Sequence, residues 1–90
     1  MWKIIESSKA RKALEKLPEE IVKRYEKWKD IVYISGPLGL HYIKGFRDEV
    51  LKGKWKVFRS SRLSLKYRVI YSIISEQVLV EVFDINPHEY

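Results

Sequence analysis

Arg59-Ser60-Ser61-Arg62-Leu63-Ser64-Leu65-Lys66-Tyr67-Arg68-Val69-Ile70-Tyr71 runs into an apolar segment, Val78-Leu79-Val80-Glu81-Val82-Phe83-Asp84-Ile85, and the two together decide the fold. Successive side chains of a strand point to opposite sides. In residues 66–75 that places Tyr67, Val69, Tyr71 and Ile73 on one face and Arg68, Ile70 and Ser72 on the other. Ser75-Glu76-Gln77 reads as a tight turn. Residues 78–85 are apolar and β-branched, with Val78, Val80 and Val82 opposite Leu79, Glu81, Phe83 and Ile85. Residues 55–64 form a preceding strand, with Arg59 and Arg62 on opposite faces. The expectation is an antiparallel three-stranded meander. A strand that only filled a core would not need these arginines.

The N-terminal half is helical. Residues 2–6 are short and apolar and read as a first strand. Ser7 or Ser8 can cap a helix by accepting from the free amides of its first turn. Ala10, Ala13, Leu14 and Leu17 then recur at helical spacing, and Pro18 stops that helix. A second helix starts with Glu19 and Glu20 and carries Ile21, Val22, Tyr25, Trp28, Ile31 and Val32. The two pack as a hairpin, since neither can bury its stripe alone. Ser35-Gly36-Pro37-Leu38-Gly39 is a break, and residues 40–53 read as an irregular loop with one short turn of helix. The expected architecture is α+β: an N-terminal strand, a two-helix hairpin and the meander.

Ninety residues make one domain, 1–90. Eighteen Lys and Arg against 12 Asp and Glu leave a net charge of +6, which favours a polyanionic partner. The absence of cysteine excludes disulfides, thiolate metal sites and Cys nucleophiles, and fits a cytoplasmic setting. No signal peptide or membrane-length apolar run is expected. Two distant histidines do not build a metal site, and no Gly-rich phosphate loop is present.

Several side chains could do chemistry. Arg68 on an open sheet face could grip a phosphate through its forked guanidinium, or could pair with Glu81 or Asp84 on the next strand. Arg59 and Arg62 could add phosphate contacts, or serve as solvated charges that protect an edge. His88 could move a proton at neutral pH, and Tyr90 could donate to a phosphate or stack on a base; both could equally be tail residues. Glu49, near several arginines, could act as a base or be one more surface acid. His41 reads as a surface loop residue.

The element order, with Leu51-Lys52-Gly53, Ser60-Ser61-Arg62-Leu63, Tyr67-Arg68-Val69-Ile70-Tyr71 and the closing His88-Glu89-Tyr90, resembles the RelE/ParE superfamily of bacterial toxins over nearly the whole chain. It is most similar to mRNA interferases of the RelE, YoeB and HigB type. The resemblance implies a small basic toxin that cuts mRNA in the ribosomal A site and is held inactive by a cognate antitoxin. It implies attack by the ribose 2′-hydroxyl on the neighbouring phosphate, with no metal or other cofactor. Carried over by position, Glu49 is the general base and Arg62 and Arg68 are the phosphate clamp. His88 or Tyr90 supplies the leaving-group proton. Lys52, Lys54, Lys56 and Arg59 form an RNA-binding patch. Val57 stands where many relatives have Gly, and the chain ends at Tyr90 where many relatives continue. The ParE branch has the same fold but inhibits DNA gyrase without nuclease activity, and a plain RNA-binding module is a third reading.

Overall fold

The computed structural model describes residues 1–87. It contains strands β1 (Lys3–Glu6), β2 (Glu49–Val50), β3 (Arg59–Arg62), β4 (Tyr67–Ile74) and β5 (Leu79–Pro87), and helices α1 (Ser8–Leu14) and α2 (Glu19–Ser35). The strands form a single sheet in the order β1-β5-β4-β3-β2. β1 lies parallel to β5, and every other neighbouring pair is antiparallel. The α+β expectation holds, with an additional strand pairing: β2 extends the meander at its β3 edge.

Local chemistry explains the helices. Ser7 is the N-cap of α1, and its hydroxyl accepts from the Ala10 amide at 3.0 Å while donating to the Phe83 carbonyl at 2.6 Å. The cap therefore also ties the helix start to β5. α1 ends at Leu14, short of Pro18, because the chain closes with tighter bonds from Lys16 to Ala13 and Leu17 to Leu14. In α2 the buried positions are Ile21, Tyr25, Trp28 and Val32, spaced by four, three and four residues. That spacing is one face of a helix, and it lies against Val69, Tyr71, Val80 and Val82 of the sheet.

Gly36 ends α2 with φ 75° and ψ 177°, a region open to glycine but strained for any L side chain. A Cβ there would also stand 2.6 Å from Trp2 Nε1. Trp2, just before β1, thus packs on the end of α2, and its amide donates to the Tyr33 carbonyl at 3.2 Å.

Residues 40–53 are more ordered than an irregular loop. Short 3-10 helices span Pro37–Tyr42 and Lys44–Phe46, and they deliver Leu40 and Phe46, both fully buried, to the core. The strand expected over 55–64 is confined to Arg59–Arg62, because Gly53–Trp55 turns as a 3-10 helix. Val78 is not a strand residue: it sits in the left-handed region, with φ 52°, at the end of the 3-10 turn Ser75–Gln77.

A β-bulge corrects one face assignment. The β4–β5 register steps from Ile70↔Asp84 to Tyr71↔Val82, so Phe83 is the extra residue. Beyond it the alternation is inverted. Ile85 joins Val80 and Val82 in the core, not Phe83 on the other face as simple alternation requires. The same inversion leaves Asp84 and Asn86 on the open face beside Ile70 and Arg68. No helix among the described residues is long and apolar enough to cross a membrane.

Candidate active site

The open face of the sheet carries a cavity of about 410 Å³. Arg68 and Ile70 come from β4, and Phe83, Asp84 and Asn86 from β5. Lys9 of α1 closes one side; Leu51, Lys52 and Trp55 close the other. Trp55, Phe58 and Phe83 form an aromatic cluster, with ring centroids 5.1–6.0 Å apart. The floor is therefore apolar and the rim mostly cationic.

Arg68 is held from behind. Its Nε donates to Asn86 Oδ1 at 3.3 Å, and Asn86 Nδ2 donates to Asp84 Oδ2 at 3.0 Å. Asp84 in turn accepts from the Ile85 amide and pairs with Lys9 at 3.6 Å. Asp84 is buried, so this chain of contacts is anchored in the sheet. Binding Arg68 through Nε leaves both terminal guanidinium nitrogens for an anion. The ion pair with Glu81 or Asp84 that the sequence left open is not formed; Asp84 is spent on Lys9 and Asn86.

Arg62 stands directly opposite Arg68 in the β3–β4 pair, on the same face. Neither forms an ion pair among the described residues. Two guanidinium groups facing each other without an acid between them repel, and an anion is what relieves them.

The other expected residues divide. Glu49 pairs with Ser60, which pairs with Ile70, so it shares this open face from the β2 edge. Strand spacing and rise put its Cα about 8 Å from that of Arg62 and about 12 Å from that of Arg68. Lys52 lines the cavity. Lys54 and Lys56 are exposed around the 3-10 turn next to it and do not line it. Val57 is exposed and precedes β3. His88 and Tyr90 lie outside the described residues.

Arg59 is a departure. It faces the core side, opposite Tyr71, and is not brought to the Arg62–Arg68 face. Its guanidinium meets Asp48 Oδ2 through Nε at 3.2 Å and Nη2 at 2.7 Å, and also lies 3.2 Å from His41 Nε2. Burial lowers the Arg59 pKa, but hydrogen bonds to Asp48 and Tyr71 outweigh it and the net direction is upward. Asp48, which the sequence did not single out, accepts further bonds from Ser61 and Tyr71 and has no exposed side-chain surface. The only cue in the sequence was an acid beside Glu49, and only long-range folding surrounds it with donors.

Two tyrosines give the domain a pH dependence. Burial, then hydrogen bonds to Glu6 and Asp48 respectively, push the Tyr25 and Tyr71 hydroxyls far above their ordinary value of 10.0. In the unfolded chain both ionise from about pH 10, whereas in the folded chain both keep their protons. Their contribution is whole below pH 10 and is lost as pH rises above it, by about 1.4 kcal/mol per pH unit for each tyrosine. Urea midpoints measured at pH 8 and pH 11 should fall accordingly. Equal midpoints would mean that the two hydroxyls are not sealed.

The sequence matches no protein-family model and no curated protein. Its fold does match solved structures. A chain of the archaeal RelE-RelB complex from Pyrococcus horikoshii OT3 superposes with a TM-score of 0.76 at 24% identity, over 96% of this chain and 93% of that one. YafQ from E. coli gives 0.77 at 14% identity, over 98% and 94%. A YoeB/ParE toxin from Agrobacterium tumefaciens gives 0.75 at 18% identity, over 97% and 99%. Identity this low with nearly complete coverage at both ends is what a common layout of core positions, filled by different side chains, produces. These superpositions, nearly complete over both chains, show that this chain has the fold of the RelE, YafQ and YoeB/ParE structures.

Proposed function

We propose that this protein is the toxin of a type II toxin–antitoxin pair and an endoribonuclease that cuts mRNA in the ribosomal A site. The observation that carries the reading is Arg68 at an aromatic-floored cavity, with Arg62 directly opposite it on the neighbouring strand and neither in an ion pair among the described residues. Proteins of similar fold named RelE, YafQ and YoeB/ParE, one of them in complex with RelB, support the toxin role and a cognate antitoxin as partner. The net charge of +6 suits an RNA substrate and ribosomal RNA surroundings.

In this reading Glu49 takes the proton of a ribose 2′-hydroxyl. The freed oxygen attacks the adjacent phosphorus, a P–O2′ bond forms and the P–O5′ bond breaks. Arg68 and Arg62 hold the phosphate and stabilise the charge that builds on its oxygens. His88 or Tyr90 gives the 5′-oxygen its proton. Lys52, Lys54 and Lys56 meet backbone phosphates nearby. Arg59, committed to Asp48, supports the sheet and does not touch RNA in this scheme.

Primer extension on a message after brief induction tests the reading. Cleavage is expected within the translated frame, and expected to vanish when the start codon is removed. An intact message together with inhibition of purified gyrase would overturn it in favour of a binding poison.

A further inference from the structure

We propose that Asp48 is a register lock: a positioning residue that decides which of two consecutive carboxylates, Asp48 or Glu49, faces the arginine groove. The inference rests on the proposed reading only in giving Glu49 the role of base.

β2 has two residues and two register pairs, Glu49↔Ser60 and Val50↔Arg59. Its ladder continues only through the Leu51 amide to the Phe58 carbonyl at 3.0 Å. Both strand residues are exposed, so almost no apolar burial holds the segment in place. A slip of one residue would carry Glu49 to the core side and Asp48 to the groove. Either acid would then satisfy the sheet's backbone equally well, and something else must choose.

The choice is made by four donor contacts on one carboxylate. Asp48 Oδ2 takes Nε and Nη2 of Arg59; Asp48 Oδ1 takes Ser61 Oγ at 2.7 Å and the Tyr71 hydroxyl. The donors come from β3 and β4, and Tyr71 is itself wedged edge-on to Trp28 at 5.2 Å. The lock is thus bolted to the centre of the core. Glu49 in its place would need room for one more methylene in a close-packed site. A buried ion pair is seldom the most stabilising way to fill a core, so its worth here lies in the arrangement it specifies. Arg47, in the left-handed region with φ 42° just before Asp48, turns the chain into this register.

The test is a double-mutant cycle on message cleavage, run cold enough that all variants are folded, together with NMR of the purified protein. Asp48→Asn should weaken cleavage about tenfold or more when Glu49 is present, and by less than about twofold when Glu49→Gln already removes the base. In the spectrum, the Glu49–Ser60 cross-strand contact should disappear and the Leu51 amide should exchange faster. Equal losses in both backgrounds, or a Glu49–Ser60 contact that survives Asp48→Asn, would overturn the lock. Should Asp48→Asn fail to fold, Ser61→Ala and Tyr71→Phe each remove one donor and keep the Arg59 pair. Each should speed Leu51 exchange about fivefold, the equivalent of about 1 kcal/mol for one hydrogen bond; unchanged exchange in both would overturn the lock as well. If Glu49→Gln alone leaves cleavage intact, the base assignment fails, and the spectra decide the lock by themselves.

Discussion

Replacing Arg68 with alanine is expected to cut cleavage of a translated message about 10²–10³-fold while leaving the thermal midpoint within a few degrees of the parent. The first figure is the usual effect of deleting one preorganised donor from a charged transition state. Arg68 is preorganised by the line from Asp84 through Asn86 to its Nε, which leaves the forked end directed at the groove. The second follows from its neighbour: facing Arg62 across the strand pair, it contributes repulsion as well as packing. Arg68→Lys should recover only part of the rate, because an ammonium is a point donor and cannot reproduce the fork. Full cleavage by the Arg68→Ala protein, measured by primer extension alongside the parent, would remove the arginine from the reaction. A midpoint far below the parent would instead mark it as structural.

Trp28→Ala should have the largest effect on stability, about 3–5 kcal/mol. Trp28 is fully buried between α2 and the sheet, stacked on Tyr25 at 5.8 Å and edge-on to Tyr71. For a domain of this size such a loss lowers the midpoint by about 15 °C or more. Trp28→Phe should cost far less, about 1–2 kcal/mol, since the indole N–H has no partner among the described residues and most of the ring contact is kept. Thermal circular dichroism on the two variants reads the difference. A Trp28→Ala midpoint close to that of the parent would place the centre of the core elsewhere. The variant should also loosen Tyr71, and with it the Asp48 carboxylate at the sheet edge.

Much of this was legible in the residue order. The four-three-four spacing of Ile21, Tyr25, Trp28 and Val32 announces the buried helix face. The alternation of Tyr67, Val69, Tyr71 and Ile73 announces which side of β4 is covered, and hence that Arg68 is on the other. Both signals are local, since each residue's direction depends only on its own element's period. The places where that reading fails are those where one strand answers to another. Val82 and Ile85 share a face only because Phe83 bulges against β4. Leu40 and Phe46 look like loop residues because 3-10 turns leave no long period, yet they are wholly buried.

The sequence by itself determined the α+β class, the helix and strand faces, the excess of positive charge and the placing of Arg62 and Arg68 among β residues. Each of these is a property of composition or of a period within one element. Only the tertiary structure decided that those two arginines face each other, that Asn86 and Asp84 stand behind one of them, and that Arg59 is spent on Asp48. It also decided which acid of the pair Asp48-Glu49 looks outward. Strand register and the partners of a buried charge are set by residues far away along the chain. The contacts that fix Asp48 come from 11, 13 and 23 residues further on, a distance at which no local period carries information.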